Sequence, residues 1–453
     1  MRRRILSLAV LVTLIVFGCT NAAGTRSRSA HAKPAVGLRP TLGWSSWSFL
    51  RDHPTAHKIK AQADALVESG LASLGYRYIN IDEYWYQCPG HEGPNIDHHG
   101  RWVTDTNRFP DRGSTDGMKV VADYVHRLGL KFGIYVTPGI SKQAIRQNTP
   151  IQGTPYHARD IATATSQDNY NCGGMRGIDY AKPGAQAYTD SWANKLASWG
   201  VDYVKLDGIR NSNVPDIRAW SIALARTGRP IRLDITQGSF TTAIAETLER
   251  YANQWVFAPD IECYECEQGG SSYPLTSWAN VSNRFDWVAE CQPYGRPGGF
   301  NDYDSIEVGN GENDGLTPDE RRTQMSLWAL GSSPFILGVD LTNLDPFDLA
   351  LLKNADVLAV DQDSIDASRI VDTSTQQVFA KIEANGDAIV GLFNTGEEPA
   401  VVSTTTSAIG MPPSSSGYSL HELWSDRTTE TTGSISAEVP PHGVALYRIT
   451  ALN

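Results

Sequence analysis

The chain has 453 residues, 41% hydrophobic and 20% charged, which describes a globular protein too long for one small domain. Its 50 acidic residues outnumber 39 basic ones, giving a net charge of −11. That balance excludes nucleic acid as a main partner, because phosphate binding needs a basic face.

The first stretch, "MRRRILSLAVLVTLIVFGCTNAAG", places three arginines before an apolar run over 5–17. It reads as a signal peptide over 1–19, since the run is too short to span a bilayer. "VFGC" sets Cys19 after a small residue, as in a bacterial lipoprotein box. The other reading is a cleaved signal with an incidental cysteine. The expectation is a secreted protein or a cell-envelope lipoprotein anchored through Cys19. Residues 20–35, rich in Ser, Ala, Arg and Thr, read as a linker.

From about residue 40 to 358, eight strand-like runs alternate with helix-like stretches. They are "TLGWSSW" (41–47), "RYINID" (77–82), "KFGIYV" (131–136), "DYVKLD" (202–207), "IRLDIT" (231–236), "QWVFAPD" (254–260), "GGFND" (298–302) and "PFILGV" (334–339). In "AQAYTDSWANKLASWG", Tyr188, Trp192, Leu196 and Trp199 fall at helical spacing and stop at Gly200. Eight βα units imply an α/β fold, a (β/α)8 TIM barrel over 36–362. After Asp361 the pattern alternates apolar and polar residues around "NGD" and "NTGEE" turns, which implies a C-terminal antiparallel β-sandwich over 363–453. Beyond the signal peptide lie Cys88, Cys172, Cys263, Cys266 and Cys291, an odd number whose pairing the sequence leaves open. "CYEC" has metal-ligand spacing but no second matching pair, so no zinc site is expected.

Active sites of such barrels form at the C-terminal ends of the strands. Here those ends carry Asp82 and Glu83, Lys205 and Asp207, Asp234, Asp260, Asp302 and Asp340, with Trp44, Trp47, Trp85, Tyr135 and Trp255 nearby. Any one of these acids could simply cap a helix. A ring of them at one end is different, because like charges so placed repel. Carboxyl pairs among aromatic residues, without a metal-ligand cluster, suit glycoside hydrolysis. In "KLDG", Lys205 and Asp207 are two apart on a strand and point to one side, where the lysine favours the ionised carboxylate.

"LGWSSW", "YINIDEYW", "KFGIY", "VDYVKLDG", "GGFNDYDSIEVGN" and "RRTQMSLWALGSSPFILGVDL", in this order, resemble glycoside hydrolase family 27, the α-galactosidase and α-N-acetylgalactosaminidase family. The resemblance covers residues 38–365, and weakly the sandwich. It implies an oligo- or polysaccharide substrate and a retaining double displacement without metal or cofactor. Residue by residue, it implies Asp207 as nucleophile and Lys205, Trp44, Asp82 and Tyr135 as sugar contacts. It implies Asp260 as acid/base, because Trp255, Asp260 and Ile261 reproduce the family's spacing. Asp286 in "NRFDWV" is the second candidate, expected to be solvated or salt-bridged.

Three positions depart from the family pattern. Glu83 stands where the family has Asp, Val256 where it has Arg, and "DITQG" places Thr236 or Gln237 where it has a Glu that contacts the C2 hydroxyl. Asp234 could take over that glutamate's task. Trp255 completes the expected pocket. The reading is an α-galactosidase-like enzyme. The alternatives are altered sugar specificity (β-L-arabinopyranosidase, isomalto-dextranase or α-N-acetylgalactosaminidase) and a non-catalytic glycan-binding protein. Glu83 favours the arabinopyranosidase, since its extra methylene carries the carboxyl about 1.5 Å toward the place of the C6 hydroxymethyl. Loss of the C2-side contacts suits the other two sugars.

Overall fold

The computed structural model describes residues 36–90, 92–239, 241–267 and 270–452. The signal peptide, Cys19 and the linker lie outside them. Eight parallel strands form a curled sheet: β1 (Leu42–Ser45), β2 (Tyr78–Ile81), β3 (Lys131–Val136), β4 (Tyr203–Arg210), β5 (Arg232–Ser239), β6 (Gln254–Val256), β7 (Phe300–Asp302) and β8 (Phe335–Leu337). Their order is β7-β6-β5-β4-β3-β2-β1-β8. The gap between β7 and β8 is bridged by Ile306, which pairs with Leu337 and exchanges backbone hydrogen bonds with Ile336 and Gly338. The strands are near-continuous apolar runs because helices cover one face and the barrel interior fills the other.

Two of the strand ends that differ from the sequence expectation, those of β4 and β6, fall at the chemistry. β6 stops at Val256 rather than running to Asp260. Pro259 has no N–H to offer a ladder, and the Ile261 N–H goes to Asp304 Oδ2 instead. β4 continues to Arg210, but through a bulge: between Leu206 and Ile209 it advances three residues while β5 advances two, from Ile235 to Gln237. The extra residue falls at Asp207–Gly208 and re-aims the side chains there.

The long β3–β4 connection carries a three-stranded sheet (Ile140–Ser141, Ala162–Gln167, Met175–Ile178) that periodicity did not reveal. A Cys88–Cys172 disulfide pins it to the β2–β3 loop. A second bridge joins Cys263 to Cys266, and Cys291 is buried.

The C-terminal part holds a six-stranded antiparallel sheet, which includes β9 (Gln376–Ile382) and β10 (Ala388–Asn394), and a two-stranded sheet over it. Both faces of the larger sheet are used. Val378, Ala380, Val390 and Leu392 point into the sandwich core, while Phe379, Ile389 and Phe393 point at the barrel. There Phe285, on the helix Arg284–Cys291, meets Phe393 at 5.0 Å and Phe379 at 6.1 Å between ring centroids. Phe285→Ala is expected to cost about 3–5 kcal/mol, read as a fall in the urea midpoint without loss of secondary structure before the transition. A cost below about 1 kcal/mol contradicts this packing.

Candidate active site

One cavity of about 630 Å3 opens at the C-terminal ends of the strands. Asp82, Glu83, Lys205, Asp207, Thr236, Asp260, Glu262 and Asp304 line it, with Trp47, Tyr170 and Tyr264 among its aromatic residues. Asp82 and Glu83 follow the end of β2 and Asp207 sits at the bulge in β4, while Asp260, Glu262 and Asp304 lie on the loops after β6 and β7.

Lys205 is the cation at the floor. Its Nζ donates to Asp82 Oδ2 at 2.7 Å, so its direct partner is Asp82 rather than Asp207. Burial opposes its charge, yet Asp82 and Asp207 together hold its pKa well above the ordinary lysine range. Asp207 is 8% exposed. Burial lifts its carboxyl to about 7, against the pull of Lys205, with Asp82 and Asp260 pushing the same way as burial. Gly208 adopts φ +71°, which turns its N–H back onto Asp207 Oδ1 at 2.7 Å. A Cβ at Gly208 would also stand 3.1 Å from Asp168 Cβ.

Glu83 is deeper still. Burial raises its carboxyl to about 8, although Tyr135 donates to its Oε1 at 2.6 Å and Lys205 favours the anion. Burial thus favours the protonated form of Glu83 in the pocket wall.

Asp304 occupies a strained backbone position, φ +78°. Its carboxylate accepts from the Ser305 and Ile261 N–H groups, clasping the loop that carries Asp260. The carboxyl oxygens of Asp260, Glu262 and Asp304 lie within 4.8 Å of one another. Burial and these neighbours raise Glu262 to about 8. Arg284, wholly buried in the helix after this loop, donates to the carbonyls of Pro259 and Tyr303, which flank Asp260 and Asp304. Its guanidinium brings positive charge toward Asp304, Asp260 and Glu262. Val256, where the family pattern has an arginine, is instead a buried apolar side chain in the wall of a 30 Å3 cavity below the main one.

Several expected contacts sit elsewhere. Trp44 is fully buried with its Nε1–H spent on the Val339 carbonyl, and Trp255 is fully buried with its own on Asn301. Neither ring lines the cavity. Tyr135 reaches it only through Glu83. Asp234 lies in the wall of the small lower cavity, where Tyr203 and Thr236 donate to its Oδ2. The side chain of Gln237 lies outside the described residues. Asp302 lies beside Asp234 in that lower wall, and Asp340 caps the turn after β8. Asp286 is on the barrel's flank, ion-paired to Arg369 at 2.6 Å.

Residues missed from the sequence are Tyr170, Glu262, Tyr264, Arg284 and Asp304. Asp304 had a signal, as the second acid of "NDYD" two residues past Asp302. Tyr170 had none, because it reaches the cavity through the excursion held by the Cys88–Cys172 bridge and the Arg210–Asp168 pair.

A family model described as alpha galactosidase A matches residues 40–165 and 157–363. Another, described as the alpha galactosidase C-terminal beta sandwich domain, matches 373–449. An α-galactosidase of Coffea arabica is 31% identical over 421 residues, covering 92% of this chain and 94% of that one. Alpha-galactosidase A of Cellvibrio japonicus is 29% identical, with 93% and 94% covered. Among solved structures, a family 27 β-L-arabinopyranosidase of Geobacillus stearothermophilus matches with TM-score 0.82 at 30% identity, covering 92% and 98%. Alpha-galactosidase I of Mortierella vinacea matches with TM-score 0.72 at 27% identity, covering 93% and 99%. The chain belongs to the α-galactosidase family of glycoside hydrolases, family 27.

A carboxyl whose pKa is raised on folding binds its proton more tightly in the native state. Its contribution to stability is therefore lost as pH rises from the unfolded value, near 4, through the folded one. For Asp207 that window runs to about pH 7 and for Glu83 to about pH 8. Asp207→Asn, which cannot ionise, is expected to raise stability by about 1–3 kcal/mol at pH 8 and far less at pH 5. Denaturation of both proteins at the two pH values checks this, and an equal effect at both contradicts it.

Proposed function

We propose that this member of the family is an exported retaining glycosidase for galacto-configured terminal sugars, and that it prefers the one lacking C6, a β-L-arabinopyranoside. The observation that carries the reaction is that Asp207 and Asp260 face one cavity whose floor is the Lys205–Asp82 pair. In the first step the Asp207 carboxylate attacks the anomeric carbon. The glycosidic C–O bond breaks, and the leaving oxygen takes the Asp260 proton. In the second step Asp260 takes a proton from water, whose oxygen attacks the same carbon and releases Asp207. Two inversions return the original anomeric configuration. Lys205 and Asp82 are placed to read a sugar hydroxyl.

Glu83 supports the choice of sugar. β-L-Arabinopyranose has the ring configuration of α-D-galactopyranose without the hydroxymethyl group, and on this reading the longer Glu83, which lines the cavity, takes the space that group would need. The likeness to the Geobacillus arabinopyranosidase points the same way. An intact pair of carboxyl groups supports an enzyme over a binding protein.

The "MRRR" start and the apolar run after it support export. Mass spectrometry of the mature protein separates the two readings of Cys19, since an acylated N-terminal cysteine means an anchor and a shorter free N-terminus means secretion.

Two outcomes are expected on nitrophenyl glycosides. Wild-type kcat/KM is highest for β-L-arabinopyranoside, above α-galactoside, α-N-acetylgalactosaminide and α-glucoside. Glu83→Asp shifts the arabino-to-galacto ratio toward galactoside by about 10–200-fold, the worth of one methylene in a pocket. A wild type that favours galactoside, with a ratio unmoved by the substitution, refutes the sugar assignment. The acidic limb of kcat/KM is expected near pH 7, where Asp207 becomes protonated. A limb near pH 4 contradicts it.

A further inference from the structure

The motif "CYEC" has no part in the mechanism above, yet it folds against it. Tyr264 opens the single turn Tyr264–Cys266, closed by the Cys263–Cys266 bridge. Its hydroxyl donates to Asp260 Oδ2 at 2.7 Å. The same oxygen accepts from Trp47 Nε1 at 2.9 Å, from the short helix after β1. Arg51 lies over both rings, 5.0 Å from Tyr264 and 5.7 Å from Trp47, and is fixed in turn by Glu267 at 2.8 Å. Asp260 itself sits on a loop four residues beyond β6, exposed. Among the described residues, Tyr264 donates the hydrogen bond that its carboxylate receives.

We propose that the Cys263–Cys266 loop is a clamp that makes Tyr264 the positioning residue of Asp260. Tyr264 occupies Oδ2, so the transferable proton is confined to Oδ1. Trp47 occupies a lone pair of the tyrosine oxygen, which directs the hydroxyl hydrogen at Asp260. The groups that act on Asp260 from the surrounding elements are Asp207 on β4, Glu262 and Tyr264 on its own loop, Asp304 after β7, Arg284 on the following helix and Tyr170 from the β3–β4 excursion. Burial beside Glu262 and Asp260 raises the Tyr264 hydroxyl far above the ordinary tyrosine range, so it remains a donor throughout the working pH.

This inference rests on Asp260 as acid/base, and the test separates the two. Two substrates share the preferred sugar, one with a 2,4-dinitrophenyl leaving group and one with a sugar leaving group. Only the second needs a proton on its departing oxygen. Asp260→Ala is expected to lower kcat/KM on the saccharide at least about 100-fold and on the dinitrophenyl glycoside little. If it does not, the reading of Asp260 fails. Tyr264→Phe, which keeps the ring, is expected to lower kcat/KM on the saccharide at least about tenfold and on the dinitrophenyl glycoside less than about twofold. Equal loss on both substrates means a merely structural role, and no loss on either means no role. Both overturn the proposal. The Cys263→Ser/Cys266→Ser double variant is expected to show the same selective loss. Should that variant fail to fold by circular dichroism, Trp47→Phe, which deletes the indole donor, takes its place with the same expectation. A bridge variant that folds and acts like wild type removes the clamp from the proposal.

Discussion

The Lys205–Asp82 ion pair is the constraint around which the pocket is built. Strand after strand delivers a carboxyl to the same end of the barrel, and burial makes Glu83 and Asp207 costly to ionise. Glu83 responds by keeping its proton and leaning on Tyr135. Asp207 rests near neutrality, because Lys205 offsets part of the burial that would otherwise hold it protonated. Without the lysine, Asp207 would face Asp82 and Asp260 with their charges unopposed by Lys205.

The backbone supplies the rest of the precision. A bulge in β4 at Asp207–Gly208 releases that carboxyl from the ladder, and a left-handed glycine turns an N–H onto it. Asp304, itself in a left-handed conformation, draws the Asp260 loop toward β7. Arg284 ties both loops from below through backbone carbonyls. It comes from a helix and is wholly buried.

The barrel was legible because parallel strands buried on both faces read as apolar runs, and the sandwich because its strands alternate. Asp82, Glu83, Lys205 and Asp207 were legible because they close such runs. Trp44 and Trp255 were misplaced for a physical reason: an indole beside a strand end can fill the core as readily as line a pocket, and both spend their N–H groups inside the protein. Tyr170 and Tyr264 were invisible because disulfide-closed loops bring them to the cavity, and the odd cysteine count left the pairing open. Arg284 lay hidden within an ordinary helical stretch.

The proposed covalent bond between Asp207 and the sugar can be trapped. A 5-fluoro glycosyl fluoride of the preferred sugar slows release of the glycosyl-enzyme, so the intermediate accumulates and can be digested and sequenced by mass spectrometry. One added fluoroglycosyl group is expected, carried by Asp207 in the segment 200–210. A label on any other carboxylate, or inactivation without a covalent adduct, would contradict it.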